Sequence, residues 1–178
     1  VPTESVALKL FTGIDHFEIM AIPFFILAGN FLTHGGVARR MIDFATSMVG
    51  HWYGGLGLAG VMACALFAAV SGSSPATVIA IGAIMLPAMV KQGFPKRFGA
   101  GVITTSGALG ILIPPSIVMV VYGATTETSV GALFTAGIVP GILLGLALMA
   151  ATWWRAKKLG LPRLPKAPLS EIWRTFWV

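Results

Sequence analysis

Residues 68–78 read Ala-Ala-Val-Ser-Gly-Ser-Ser-Pro-Ala-Thr-Val, a polar, turn-forming motif inside one of the most apolar stretches of the chain. A helix is expected to end at Ser71-Gly72, and Ser74 followed by Pro75 is expected to form the N-cap and first turn of the next helix. The motif divides the surrounding apolar block into pieces of about 17 and 16 residues, each shorter than the roughly 20 that a membrane-spanning helix needs. The stretch therefore predicts two short helices joined by a tight polar turn.

The composition indicates where this motif lies. The chain has 178 residues, of which 56% are hydrophobic and 10% charged, and its mean hydropathy is +0.88. These values are far outside the range of ordinary soluble domains and predict a membrane protein. The net charge of +6 comes from basic residues in the gaps between apolar segments. This distribution is the positive-inside pattern, and it excludes a nucleic-acid-binding surface as the explanation of the charge.

The charges at the two outer ends of the apolar block 54–90 predict its topology. Arg39 and Arg40 lie before the block, and Lys91 and Arg97 lie after it. If positive charge marks the cytoplasm, the block enters and leaves on the same side. We therefore predict a re-entrant helical hairpin over 54–90 with its polar tip inside the membrane. Two complete but short spans would also return to the same side, and they remain the alternative.

The remaining segments complete an all-α membrane protein. Residues 17–33 predict a spanning helix, and 37–52 predict an amphipathic helix along the membrane surface. Residues 98–125 predict a broken helix that crosses once, since no basic residue follows it until the end of the next apolar run. A last span is predicted over 130–154, and the tail 159–178 reads as a cytoplasmic connection.

A second interruption, at residues 107–116, also combines residues that end a helix with residues that begin one. Gly107 and Gly110 can each end a helix, and Pro114 holds Ile113 in an extended conformation. Pro114-Pro115 is then expected to open the next half-helix. Two broken elements at similar depth are typical of the binding site of a secondary transporter.

Backbone groups left unpaired at such breaks must face protein, water or a ligand. In transporters, carbonyl and hydroxyl oxygens at these positions coordinate Na⁺, and half-helix N-termini face an anionic substrate. No Asp or Glu occurs between Asp43 and Glu127, which favours sodium over a proton as the coupling ion. The residues predicted to bind sodium are Ser71, Gly72, Ser73, Ser74, Gly107, Gly110 and Ile113. Those predicted to face the substrate are Ser74, Pro75, Thr77, Pro114, Pro115 and Ser116. No other metal and no organic cofactor is expected.

A chemical alternative is an intramembrane serine hydrolase that uses Ser71, Ser73 or Ser74 as nucleophile. Such a serine needs a base, and no histidine, lysine or acid lies within the hairpin 54–90. We therefore expect a protein that is not an enzyme.

Four motifs in a fixed order resemble a known family. They are 22–30 (Ile-Pro-Phe-Phe-Ile-Leu-Ala-Gly-Asn), 67–78 around the serine tip, 109–117 (Leu-Gly-Ile-Leu-Ile-Pro-Pro-Ser-Ile) and 133–141 (Leu-Phe-Thr-Ala-Gly-Ile-Val-Pro-Gly). Together they resemble the large membrane subunit of tripartite ATP-independent periplasmic (TRAP) transporters. The resemblance implies a sodium-coupled elevator-type importer, multi-pass in the bacterial inner membrane. It also implies two partners in the bilayer and periplasm: a small four-helix membrane subunit, and a periplasmic binding protein that delivers organic acids such as C4-dicarboxylates or sialic acid.

The resemblance also implies a division of the chain. Residues 1–53 would belong to the scaffold, 54–128 to the moving transport region, 129–158 to a further transmembrane helix and 159–178 to a connection. The connection would lead to a second, inverted repeat that this fragment lacks. Within the transport region, the tip at 71–74 and the break at 110–114 match the places where that family builds its first sodium site. The alternative within the same broad class is a single-component sodium/anion symporter with related hairpins.

Overall fold

The computed structural model describes residues 3–6, 8 and 17–177, and this part of the chain is helical without any strand. The all-α prediction is confirmed for these residues. From residue 17 onward the helices are α1 (Phe17–His34), α2 (Val37–Val49), α3 (Gly55–Ser71), α4 (Ser74–Lys91), α5 (Lys96–Gly107), α6 (Leu109–Leu112), α7 (Ile117–Thr126), α8 (Val130–Lys158) and α9 (Leu169–Trp177).

The hairpin consists of α3 and α4, and its turn is shorter than predicted. Helix α3 ends at Ser71, and Gly72 follows in the left-handed conformation with φ of +63°. Ser73 is extended and its Oγ accepts a hydrogen bond from the backbone N–H of Ala76, at 3.4 Å. Ser73 is therefore the N-cap, and the prediction of Ser74 was one residue late. The reason is that Gly72 completes the reversal alone, which leaves Ser73 free to begin the next helix.

The length of α4 corrects part of the argument for a re-entrant hairpin. Within the described residues, three segments are long and apolar enough to cross a membrane, namely Ser74–Lys91, Lys96–Thr126 and Val130–Lys158. Helix α4 has 18 residues because it continues through Lys91, whereas α3 has only 17. The predicted second arm was therefore too short. The prediction of a re-entrant hairpin depends on the length of α3 and on the basic residues at both ends of the hairpin.

The interruption in 98–125 lies later than predicted. Helix α5 ends at Gly107, but Ala108 keeps helical backbone angles and Gly110 lies inside the short helix α6. Gly110 therefore does not end a helix. The break is formed by residues 113–116, where Ile113 is extended as predicted, with φ of −80° and ψ of 122°.

Helix α7 begins only at Ile117, after Ser116 as its N-cap. The prediction that Pro114-Pro115 opens this half-helix was wrong by two residues. Two consecutive prolines disfavour helical backbone at both residues that precede a proline, so Ile113 and Pro114 stay outside the helix. The prolines thus lengthen the connection between α6 and α7.

Helix α3 forms the centre of the bundle. It packs against α2, α4, α5 and α8, and most of its residues are buried. The largest fully buried side chains of the bundle include Leu58, Phe67, Ile81, Met85 and Met89. By contrast, α8 exposes Ile138, Val139, Ile142, Leu143 and Leu146, as a helix that faces lipid would.

The predicted amphipathic helix is observed as α2, which buries Ala38, Ile42, Ala45 and Val49. The segment after α8 returns to this helix: the backbone N–H of Leu164 donates to the carbonyl of Gly50, at 3.1 Å. Helix α9 then lies beside α2. The predicted connection 159–178 therefore packs on the bundle, as far as the structure describes it.

Candidate ion and substrate site

The two interruptions meet in space. The carbonyl of Gly72, at the end of α3, accepts a hydrogen bond of 3.1 Å from the backbone N–H of Ile117, the first residue of α7. A carbonyl left unpaired at the end of α3 thus pairs with an N–H left unpaired at the start of α7. The hairpin tip and the break at 113–116 form one continuous site.

Three glycines permit this close approach. A Cβ atom at Gly110 would lie 3.0 Å from both Cα and N of Ser74, and a Cβ at Gly107 would overlap the side chain of Val78. A Cβ at Gly72 would lie 2.8 Å from the carbonyl oxygen of Pro115. All three were predicted as sodium-site residues, and the contacts give each of them a packing role at the junction.

Hydroxyl groups organise the hairpin tip from inside. Ser71 and Thr77 are 0% exposed, and their hydroxyl oxygens lie 3.3 Å apart. The hydroxyl of Thr77 donates to the carbonyl of Ser73 at 2.8 Å, and the amide of Ser73 donates to Ser71 Oγ at 3.4 Å. Thr77, which was predicted to face the substrate, therefore has its hydroxyl directed into the tip.

Two buried serines have hydroxyls without a hydrogen-bond partner in the described part of the chain, Ser106 and Ser116. Both are 0% exposed. Ser116 is the N-cap of α7, yet its side chain makes no capping hydrogen bond. A buried hydroxyl without a partner costs about 1–3 kcal/mol. Each of these two hydroxyl oxygens therefore has unused coordination capacity.

Ser106 was not among the predicted residues. It lies four positions before Gly110, so both residues share one face of the nearly continuous α5–α6 segment. That spacing, a serine on the face of a glycine in an apolar helix, was the signal that could have identified it.

The other predicted residues occupy the rim of the junction. Ser74, Ile113, Pro114 and Pro115 are half-buried, and Pro75 is exposed. The side chain of Ile113 lies toward α8, where a Cβ at Gly141 would come within 3.1 Å of its Cγ1. The predicted residues are thus brought together, except that the Ile113 side chain lies on the far side of the break.

Helix α1 covers one side of the tip, which the sequence did not reveal. A Cβ at the buried Gly29 would lie 3.7 Å from the Cβ atoms of Ser71 and Ala76. A Cβ at Gly72 would likewise lie 3.6 Å from Cδ1 of the Phe25 ring. This helix therefore contacts the site as well as the rest of the bundle.

The site is electrically neutral. Among the described residues no group of three or more His, Cys, Asp or Glu side chains is placed to hold a metal ion. The junction offers hydroxyl oxygens, carbonyl oxygens at the end of α3 and the N-termini of α4 and α7. Such groups can stabilise a monovalent cation and an anion without carrying a formal charge.

Comparison of the sequence with known proteins shows the family to which the chain belongs. Residues 1–177 match the family described as "Tripartite ATP-independent periplasmic transporter, DctM component". A C4-dicarboxylate TRAP transporter large permease protein of Rhodobacter capsulatus is 70% identical over 190 residues, covering 99% of this chain and 43% of that protein. An isethionate TRAP transporter permease protein of Oleidesulfovibrio alaskensis, DctMQ, is 48% identical over 99% of this chain and 29% of its own length. A sialic acid TRAP transporter permease protein of Haemophilus influenzae, SiaT, is 39% identical over 94% of this chain and 27% of its own length.

The chain therefore spans less than half the length of these relatives, and the match covers nearly all of it. The resemblance predicted from the four motifs is confirmed. With membrane-spanning helices, two interrupted elements in contact and a family match over residues 1–177, the chain belongs to the DctM component family of tripartite ATP-independent periplasmic transporters.

Proposed function

We propose that the whole protein is the permease subunit of a sodium-coupled importer of organic acid anions in the bacterial inner membrane. It would receive its substrate from a periplasmic binding protein and work with a small four-helix membrane subunit. Family membership supports the transport function, and the 70% identity to the Rhodobacter capsulatus protein supports a C4-dicarboxylate as substrate. The name DctMQ of the Oleidesulfovibrio relative supports a close association of two membrane components.

One observation carries the site assignment. Ser116 is fully buried at the junction of both breaks, and its hydroxyl has no hydrogen-bond partner in the described residues. Burial without a partner is unfavourable, and use of the oxygen by a bound ion is one of the arrangements that offset it. We therefore assign Ser116, predicted as a substrate-facing residue, to the ion.

The oxygen atoms of the junction suit sodium to different degrees. The carbonyl of Ser73 already accepts hydrogen bonds from both the amide and the hydroxyl of Thr77, so it is a poor ligand. The carbonyl of Gly72 accepts one, from Ile117, and retains a second lone pair. Ser116 Oγ, Ser71 Oγ and the last carbonyls of α3 are the best candidates. The N-terminus of α4, at Ser74 and Pro75, would face the anion.

The same contacts support a rigid moving unit. The Gly72–Ile117 hydrogen bond and the packing of Gly107 and Gly110 tie the hairpin to the broken helix. In an elevator-type transporter these elements would move together against a scaffold that includes α1 and α2.

The test is uptake by the full-length Ser116→Ala variant, reconstituted with its partners, at varied sodium concentration. We expect the sodium concentration for half-maximal uptake to rise, because a ligand oxygen is lost. The thermal unfolding midpoint should stay the same or rise, since the substitution removes a buried polar group that costs about 1–3 kcal/mol. Ser170→Ala, at an exposed position of α9, is the matched control and should change neither quantity. Unchanged sodium dependence in Ser116→Ala would contradict the assignment.

Omission of the binding protein tests the partner proposal separately. We expect uptake to fall to the level of empty vesicles. Full uptake without it would instead indicate a single-component symporter.

A further inference from the structure

A pocket of about 380 Å³ lies at the end of α3 opposite the hairpin tip. Its lining comes from three parts of the chain: the α2–α3 connection, the C-terminal end of α8 and the segment after α8. The lining residues are His51, Trp52, Tyr53, Trp153 and Arg163. None of them is acidic, and three are aromatic residues other than histidine.

Arg163 is held in this pocket by an aromatic ring. Its guanidinium carbon lies 3.1 Å from the ring centroid of Tyr53, a cation–π contact. The contact fixes the position of the guanidinium, and among the described residues its N–H donors have no hydrogen-bond partner. No ion pair of Arg163 with a carboxylate exists among the residues that the structure describes. The side chain is therefore both positioned and available to bind an anion.

The pocket lies where α8 leaves the membrane. Helix α8 is apolar and long enough to cross, and it ends in Trp153, Trp154, Lys157 and Lys158. Lys157 Nζ lies 5.2 Å from the Trp153 ring centroid and Lys158 Nζ lies 5.9 Å from that of Trp154. Tryptophans with adjacent lysines mark the interface between the acyl chains and the headgroups. The aromatic wall and the cations thus meet at headgroup depth.

We propose that this pocket binds the phosphodiester headgroup of an anionic phospholipid, with Arg163 as the main ligand. A planar guanidinium matches two phosphate oxygens at once, and basic pockets between transmembrane elements on the cytoplasmic side bind anionic headgroups. Trp153 and Trp52 would contact the glycerol and the upper acyl chain. A phosphate could also come from solution, but the position of the pocket at the end of a spanning helix favours a lipid.

The proposal is tested by native mass spectrometry of the full-length protein. The protein is released from nanodiscs that contain phosphatidylglycerol and phosphatidylcholine in equal amounts. We expect the protein to retain phosphatidylglycerol in preference to phosphatidylcholine. Arg163→Gln should lower this retention about tenfold, because it removes the charge-assisted hydrogen bonds that the guanidinium would make to the phosphate in the pocket. Arg97→Gln, which removes an exposed arginine outside the pocket, is the matched control and should have no effect.

Lys157→Gln keeps the proposal testable if Arg163→Gln fails to fold, because the Lys157 side chain is exposed and lies over the ring of Trp153, which lines the pocket. It should lower phosphatidylglycerol retention as well, by a smaller factor. Addition of millimolar inorganic phosphate should not displace the lipid. Equal retention of both lipids, equal effects of Arg163→Gln and Arg97→Gln, or displacement by inorganic phosphate would each overturn the proposal.

Discussion

Gly72 combines three roles in one residue. It reverses the chain at a φ of +63°, it donates its N–H to the carbonyl of Ala68, and its own carbonyl accepts from Ile117. The space where a side chain would begin is taken by the carbonyl oxygen of Pro115, 2.8 Å away. Any other residue would have to distort the turn or move the break.

Gly72→Ala should therefore destabilise the protein and reduce uptake. A left-handed conformation costs a non-glycine residue about 1–2 kcal/mol, and the contact with Pro115 adds to this. We expect a lower thermal unfolding midpoint in detergent and loss of transport by the full-length protein. Gly101→Ala is the control, because Gly101 is helical with nothing within 4 Å of the added Cβ. That variant should be as stable as the parent or slightly more so, since alanine favours a helix by about 1 kcal/mol. Equal stability of the two variants would contradict this role of Gly72.

The sequence predicts the backbone of the tip better than the surroundings of its side chains. Serine, glycine and proline in a short apolar segment predict a helix end and a new N-cap, and these local effects fix the turn to within one residue. The burial of Ser106 and Ser116 depends on which helices surround them. Local pattern carries no such information, so the sequence alone does not predict that these two hydroxyls lack a partner among the described residues.

At the scale of elements, the hairpin and the broken helix interlock through Gly107 and Gly110. Local pattern predicts both glycines as helix ends, because glycine is common just after the last turn of a helix. Here Gly110 lies within α6, and its missing side chain makes room for the backbone of Ser73 and Ser74. Contacts between elements distant in sequence explain what local pattern could not.

A double-mutant cycle measures this interlock. Gly107→Ala places a Cβ against Val78, so overpacking should destabilise the protein by about 1–3 kcal/mol. Adding Val78→Ala removes the side chain that the new Cβ meets, and the pair should cost less than the sum of the single variants by about 0.5–3 kcal/mol. Thermal unfolding in detergent is the measurement. Ile79→Ala, a truncation on the exposed face of the same helix, should combine additively with Gly107→Ala. Additivity of the Val78 pair would refute the contact.

At the scale of the whole molecule, charge predicts the orientation of each segment. Basic residues at the start of α2, around the α4–α5 connection and at the end of α8 predict that these points lie on one side of the membrane, while the α7–α8 connection carries only Glu127 as a charge. These features are spread over the whole sequence, so the sequence alone predicts a topology. The pocket beside Arg163 could not be predicted in this way, because it joins segments far apart along the chain.

Cysteine labelling tests the topology and the depth of the hairpin. In a full-length background whose cysteines, Cys64 included, are replaced by alanine, Thr128→Cys should react with a membrane-impermeant maleimide added to the periplasmic side. Gln92→Cys should react only from the cytoplasmic side. Pro75→Cys reports on the tip, since Pro75 is exposed in the structure. A re-entrant tip should react much more slowly from the periplasm than Thr128→Cys. Equal rates would show that α3 and α4 cross the membrane completely.

The hydrogen bond between Gly72 and Ile117 also has a consequence for biogenesis. During translation the hairpin leaves the ribosome before α7 does. The carbonyl of Gly72 therefore lacks the N–H of Ile117 while α3 and α4 enter the translocon. Hydrocarbon offers no substitute donor, and an unpaired carbonyl there costs several kcal/mol. A nascent chain that stops short of Ile117 should therefore keep its tip in water or in the translocon. Final insertion of the hairpin should follow only when the second interrupted element has been synthesised.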